Sequence, residues 1–481
     1  MKNLEPKALW NYFYEITQIP RPSKKEEQIT AYLKAFGEKH QLVTKIDKSG
    51  NVLISKPATE AYENAKTIIL QSHQDMVCEK NNGVEFNFDT DAIQTYIDGD
   101  WLKAKGTTLG ADNGIGMAIS LAILADNNLQ HPAIECLFTV DEETGLTGAF
   151  ALGNDFMTGD ILINLDSEDD GEIFIGCAGG IDTVANLSFT AEKAPQNYFT
   201  FEVSVKGLLG GHSGDDIDKN RGNANRILSR FLWNVNKKID LRIHSFDGGN
   251  LRNAIPREAL AIAAVPMSEK ENLRAWFNIF SAEIEGEISR FEPQLTLSLE
   301  SASKLDTVID KTSSDNLINA LYSCPNGIVA MSVDMPGMVQ TSTNLAAIRT
   351  KADNTIEITT SQRSSVESEK YDIANRVEAI FLLAGAKAEH GDGYPGWQPN
   401  IKSEVLKTAQ SSYKKLFGED ALVRSIHAGL ECGLFLEKYP HLDMISIGPT
   451  MRGVHSPDER LSISATQKCW DWLIEILKNS K

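Results

Sequence analysis

The sequence predicts an α/β protein in which a central mixed sheet flanked by helices is interrupted by an inserted α+β domain. Three observations carry this reading. Up to about Gly180, short apolar strand-like runs alternate with segments of helical periodicity, the pattern of a sheet with helices on its faces. After that point the strands show in-and-out alternation among longer helices, which reads as an α+β insertion. Beyond the Gly/Pro cluster Gly391-Asp392-Gly393-Tyr394-Pro395-Gly396-Trp397 the α/β alternation returns, so the last segment rejoins the first domain. At 481 residues the chain exceeds one typical core, and two domains are the default. The expected division is 1–183 with 392–481 as one discontinuous catalytic domain, and 184–391 as the insertion.

Helical periodicity marks 7–17 and 26–40. Strands are expected over 51–55 and 67–71, the second leading into Ser72-His73-Gln74-Asp75. An apolar, Ala-rich helix over 113–126 carries Gly114 and Gly116 in its first turn and leads into a strand over 133–140. A short helix over 145–152 and a strand over 161–165, ending at Asp166, complete this part. In the insertion, strands over 199–205 and 260–265 sit among helices over 223–237 and 268–290. The same β, α, β, β order recurs over 295–389, with a helix over 366–384. The insertion therefore reads as two ferredoxin-like halves, although no residue-level repeat accompanies them. A helix over 403–417, strands over 422–426 and 444–447 and a helix over 464–479 close the chain.

Lys and Arg number 47 against 66 Asp and Glu, a net charge of −19 that argues against nonspecific binding to nucleic acid. There is also no basic stripe or aromatic platform to support such a partner. No stretch reaches the apolar length needed to cross a bilayer, so a membrane protein is not expected. The segment 1–17 lacks an apolar core followed by a small-residue cleavage site, and a cytoplasmic location is expected. The six cysteines are scattered without a close pair and read as buried small hydrophobes rather than disulfides or zinc thiolates.

Chemistry enters at Asp141-Glu142-Glu143-Thr144-Gly145, three consecutive carboxylates directly after an apolar strand. Adjacent carboxylates in a partly desolvated site are driven toward protonation unless a positive charge compensates them, so a cation is expected there. Four further segments place ligand-type residues at or between strand ends: His73-Gln74-Asp75, Gly110-Ala111-Asp112-Asn113-Gly114, Asp166-Ser167-Glu168 and Val454-His455-Ser456-Pro457. Each taken singly reads as readily as a cap or turn. As a set they can converge, because the strand ends of a parallel sheet lie along one edge. Two histidines with three or four carboxylates suit zinc and, less tightly, manganese or cobalt. The carboxylates are too many for one tetrahedral ion, whereas two ions roughly 3.5 to 4 Å apart that share a bridging carboxylate would use them all.

The order His-x-Asp, Asp-Asn-Gly, Glu-Glu-Thr-Gly, Asp, then Gly-His-Ser-Gly in a second domain and a late His resembles the M20 metallopeptidases over nearly the whole chain. The stretches Gly110–Gly116, Gly210-Gly211-His212-Ser213-Gly214, His427-Ala428-Gly429-Leu430-Glu431-Cys432-Gly433 and His455-Ser456-Pro457-Asp458-Glu459 are most similar to the aminoacyl-histidine dipeptidases, also called cytosolic nonspecific dipeptidases. The resemblance implies a zinc-peptidase-like catalytic domain with an inserted lid. It implies that Asp112 bridges two metals, with His73 and Asp166 completing one site and Glu143 and His455 the other. Glu142 is then the general base, and Asp75 orients the His73 imidazole. His212 is implied as the stabiliser of the developing oxyanion. The family also places a cis peptide after the bridging aspartate, at Asp112-Asn113.

Arg363, expected at a strand end before a helix, suits the bidentate grip of a substrate carboxylate, against the plain reading of a surface arginine. Asn253 and Gly429 are the further substrate-contact candidates. The resulting expectation is a cytoplasmic dipeptidase with two Zn²⁺ per chain, or Co²⁺ or Mn²⁺ in their place. It would cleave unblocked dipeptides, Xaa-His and β-alanyl-histidine included, by a metal-bridged hydroxide, and the family makes a homodimer plausible. The alternatives are a related tripeptidase, aminoacylase or amidohydrolase and, in a different class, a noncatalytic metal-binding scaffold. Asp141 is expected to be structural, and Tyr394 and Trp397 to pack at the linker.

Overall fold

The computed structural model describes Met1 and residues 3–481. The chain divides into two compact units, Met1–Gly176 with Pro399–Ser425 and Leu430–Lys481, and Cys177–Gln398 with Ile426–Gly429. The expected joints lie at 183/184 and 391/392, and the short segment that carries His427 and Gly429 belongs with the second unit rather than with the C-terminal stretch around it.

The first unit is built on an eight-stranded mixed sheet. Three adjacent strands at its centre, Ile134–Thr139, Ile68–His73 and Ile161–Asn164, run parallel, and Asp443–Ser446 continues the parallel set beside Ile161–Asn164. Their residues are buried at nearly every position, which is why these segments read as apolar runs rather than as alternating patterns. The helix Ala111–Ala125 packs against Ile68–His73 and against the helix Lys7–Thr17. It is buried on almost all sides, as its alanines, isoleucines and leucines require. A smaller four-stranded sheet contains the antiparallel pair Met451–Arg452 and Arg460–Ser462, whose connecting loop carries His455.

The second unit holds one nine-stranded sheet. Tyr198–Lys206, Ala224–Asn236, Arg242–Gly248, Ala259–Pro266, Lys270–Ile288 and Thr296–Ser301 follow a βαββαβ order. The first of these strands pairs with the fourth and third, and the third with the second, which is the ferredoxin-like arrangement. Gly179–Ser188, Lys311–Ser323, Val339–Thr350, Thr355–Ser364, Glu367–Leu383 and Lys387–His390 repeat that order with equivalent pairings. The two halves meet edge to edge where Gly248 pairs with Ile348. The first half is inserted between the opening strand and first helix of the second, so the second half takes its first strand from Gly179–Ser188 rather than from the expected 295–389 stretch, where Thr296–Ser301 closes the first half.

Candidate active site

The strand ends of the first unit bring the expected ligands together. His73 is the last residue of its strand, while Asp166 and the Glu142-Glu143 pair follow directly after the two neighbouring parallel strands. Asp112 enters from the first turn of the helix Ala111–Ala125, where Asp112 and Asn113 leave helical geometry and the peptide between them is cis. His455 enters from the loop of its β-hairpin with φ of 61°, a left-handed backbone unusual for a residue other than glycine.

Asp112 faces both histidines at once. Its Oδ1 lies 3.0 Å from His73 Nε2 and its Oδ2 lies 3.1 Å from His455 Nε2. Asp166 Oδ1 is 3.4 Å from His73 Nε2, and Glu143 Oε2 is 3.0 Å from His455 Nε2. The ligand atoms of His73, Asp112 and Asp166 lie within 4.8 Å of one another, as do those of Asp112, Glu143 and His455. Glu143 Oε1 is buried without a hydrogen-bond partner, an uncompensated acceptor that a cation would satisfy. The donor set therefore fits two divalent cations with mixed nitrogen and oxygen ligation.

The electrostatics have the same character. Burial alone would raise Asp112, but hydrogen bonds from His455 and His73 hold it well below the ordinary carboxylate range. Contacts with Asp112 and Glu143 push His455 up to about 11. Burial would lower His73, yet Asp166 and Asp112 drive it well above its ordinary value. The neighbouring carboxylates thus favour the protonated form of both histidines when no cation is bound. A histidine must shed its proton to ligate a metal, so cation uptake at neutral pH should release protons and affinity should weaken as pH falls. Adding Zn²⁺ to the metal-free protein in dilute buffer with a pH indicator should register about two protons or more per chain. Uptake without acidification would contradict the protonated-histidine state.

Asp75 and Glu142 complete this part of the site. Asp75 Oδ1 lies 3.2 Å from His73 Nδ1 and accepts the backbone N–H of Glu142 at 3.1 Å, while Oδ2 accepts that of Glu143 at 3.2 Å and the Ser23 hydroxyl at 2.8 Å. Burial opposes its ionisation, but the contacts from His73 and Ser23 bring it down to about 2. One carboxylate thereby ties the His73 ring to the backbone that presents Glu142 and Glu143. Burial, reinforced by Asp166, Glu431 and Glu143, holds Glu142 well above the ordinary carboxyl range. Asp141 has left-handed backbone (φ 51°), and its carboxylate accepts the hydroxyls of Thr144 and Thr147, a structural role.

Arg363, His212, Asn253 and Gly429 all belong to the second unit. Arg363 is 6% exposed, so the surface-arginine reading does not hold. Its Nη1 donates to Tyr394 Oη at 2.7 Å, and its Nε is buried without a partner. His212 Nε2 lies 3.5 Å from Arg363 Nη2, at the limit of a hydrogen bond. On the other side of the ring, His212 Nδ1 lies 3.3 and 3.2 Å from the backbone N–H groups of Gly214 and Asp215 and 3.4 Å from Asp215 Oδ2. Asn253 is exposed, and its backbone carbonyl accepts the N–H of Ser213, the residue after His212, at 2.8 Å. Gly429 packs against the Tyr394 ring so closely that an added Cβ would sit 2.7 Å from it.

Several groups at these sites carry no role that the sequence announces. Tyr394, expected to pack at the linker, accepts a hydrogen bond from Arg363 at its hydroxyl. His427 is buried against Ser342, Nε2 to Oγ 2.7 Å, and burial pushes it down to about 4. Glu431 is buried, with Oε2 accepting from Gln71 Nε2 at 2.6 Å and Thr139 Oγ1 at 2.9 Å. Glu459 accepts backbone N–H groups just before Asp112. Glu431 and Glu459 both lie in stretches that carry the family resemblance, which was the signal available for them.

A family model described as peptidase family M20/M25/M40 matches residues 69–479. The cytosol non-specific dipeptidase of Escherichia coli K12 is 45% identical over 478 residues, 99% of this chain and 98% of the relative. The crystal structure of an aminoacylhistidine dipeptidase from Vibrio alginolyticus has a TM-score of 0.95 at 42% identity, covering 100% of this chain and 98% of that one. A tripeptidase structure from Staphylococcus aureus, with a TM-score of 0.56 at 17% identity over 99% of this chain and 98% of that one, shares the fold.

Proposed function

We propose that this chain, which belongs to peptidase family M20/M25/M40 and is a peptide hydrolase, is a dipeptidase that cleaves unblocked dipeptides, Xaa-His and β-alanyl-histidine among them, with two zinc ions. The observation that carries the two-cation reading is Asp112, whose separate oxygens face His73 and His455. His73 and Asp166 would complete one cation site, and Glu143 and His455 the other. Two such cations, when bound, polarise the scissile carbonyl and acidify the attacking water.

Glu142 takes the proton of that water and delivers it to the leaving amine. Its carboxylate is not needed as a ligand, and its buried setting suits a group that must both accept and return a proton. Asp75 holds the His73 ring by Nδ1 and leaves Nε2 for the cation. On the second unit, proposed as the lid, His212 is the Nε2–H donor for the carbonyl oxygen as it gains charge. Arg363 is the grip for the substrate carboxylate, with Asn253 and Gly429 near the substrate termini. The names of the Escherichia coli and Vibrio relatives support the substrate class and, for the former, a cytosolic location. No helix among the described residues is long and apolar enough to cross a membrane. The homodimer rests on the family resemblance.

The test is a hydrolysis panel of free dipeptides, tripeptides and N-acyl amino acids, run with metal analysis of the purified protein. Dipeptides should dominate, with activity lost to a chelator and restored by Zn²⁺. Preferred turnover of tripeptides or N-acyl amino acids would move the protein to another activity of the family, and no turnover with metal bound would favour a scaffold. For the carboxylate grip, Arg363→Lys keeps the charge but loses the planar fork. It should raise KM on a dipeptide by about 10-fold or more with little change in kcat, since a charge-assisted hydrogen bond is worth roughly 1.5–3 kcal/mol. An unchanged KM would remove Arg363 from the substrate site.

A further inference from the structure

Glu459 is 2% exposed, and its carboxylate is surrounded by backbone donors. Oε2 accepts the N–H groups of Leu109 at 2.6 Å and Gly110 at 3.0 Å, and Oε1 those of Ala111 at 2.7 Å and Asp112 at 3.4 Å. These are the residues that open the helix Ala111–Ala125, which has no side-chain cap of its own. Gly110 has φ of 67°, and that left-handed turn helps aim the donors at one point. On the outer side of the same turn the buried Arg21 donates to Gly110 O and also to Gln74 O and Asp75 O. Glu459 lies in the hairpin loop that carries His455, four residues further on. A single carboxylate thus joins the loop that presents His455 to the turn that presents Asp112, across more than 340 residues of sequence.

We propose that Glu459 is a positioning residue for the metal centre, and that its seat on the four N–H groups of Leu109–Asp112 sets where Asp112 presents its two oxygens to His73 and His455. The inference rests on the reading that Asp112 bridges two cations. A carboxylate is required because it accepts at both oxygens. Glutamine of the same shape would turn an NH₂ group toward two of the N–H donors, leaving those donors buried and opposed. The turn would shift to relieve this, and Asp112 would move with it.

The experiment uses Glu459→Gln and Glu459→Asp beside the wild type, each stripped of metal and titrated with Co²⁺ by calorimetry, with the visible Co²⁺ absorption recorded. The expected result for Glu459→Gln is two Co²⁺ bound about 10–100-fold more weakly, the range for losing an outer-shell partner, with an altered absorption spectrum. Glu459→Asp, which retains both acceptor oxygens one methylene shorter, should recover part of the affinity. Wild-type Co²⁺ affinity and an unchanged spectrum in Glu459→Gln would overturn the proposal even if its melting temperature fell. Fewer than two Co²⁺ in the wild type would instead remove the bridging reading beneath it. Should neither variant fold, hydrogen exchange in the metal-free wild type decides: slow exchange at Leu109, Gly110 and Ala111 agrees with the clamp, and rapid exchange overturns it.

Discussion

Glu142→Gln should lower kcat on an unblocked dipeptide by roughly 10⁴-fold, the upper end of what one general acid-base contributes, while two cations per chain remain bound. The size follows from the double use of this side chain, first to accept a proton and then to return it to the leaving amine. Glutamine has the same shape and can do neither. Retention of metal follows from position, because the two clusters that fit cations through Asp112 are His73, Asp112, Asp166 and Asp112, Glu143, His455, and Glu142 is in neither. Glu142 also contributes to a third grouping with His73 and Glu143, in which its carboxylate would itself be a ligand. The two assignments separate cleanly. If Glu142 is a ligand, the glutamine variant loses a cation along with its activity. If it is the base, metal analysis of the inactive variant matches the wild type. Comparable turnover would end the assignment altogether.

The candidate ligands were legible only as a set, His, Asp and Glu residues at or near strand ends whose order carries the family resemblance. Three strands that end in or just before His73, Glu142 and Asp166 are apolar throughout, and apolar strands of a parallel set end on a common edge. The separate roles of Glu142 and Glu143 came from the family resemblance, which left Glu142 without a metal and free to act as the base. What escaped the sequence is held by backbone rather than by ligand chemistry. Glu459 and Arg21 bind main-chain N–H and C=O groups contributed by Leu109–Asp112 and Gln74–Asp75, and any residue can supply those groups, so no side-chain pattern announces the contact. Tyr394 escaped for a related reason. In sequence it sits in a Gly/Pro cluster that looks like a linker, and only the fold brings its hydroxyl to Arg363 and its ring over Gly429. The doubled second unit was visible as a recurring order of elements, yet its interleaved connection, with one half inserted inside the other, had no signature in residue spacing.

Asp112→Asn should weaken both cation sites together and bring turnover below detection. Each remaining ligand in the proposed arrangement serves one ion, so Asp166→Asn or Glu143→Gln should cost one site and leave the other nearly as tight. Asp112 is different because its two oxygens are committed to different neighbours, Oδ1 beside His73 and Oδ2 beside His455. Asparagine keeps one oxygen and replaces the other with a donor that cannot ligate, and it removes the negative charge from between the two positions. Whichever way the amide turns, one site loses a ligand atom and both lose its charge. The loss at each should exceed the roughly 10–100-fold that an outer-shell partner costs, because here the ligand itself is changed. Co²⁺ titration of the metal-free variants measures this directly. Two weakened sites in Asp112→Asn, beside a single weakened site in Glu143→Gln, is the expected pair of results. If Asp112→Asn weakened only one site, Asp112 would be a terminal ligand, and another group would have to bridge the two cations.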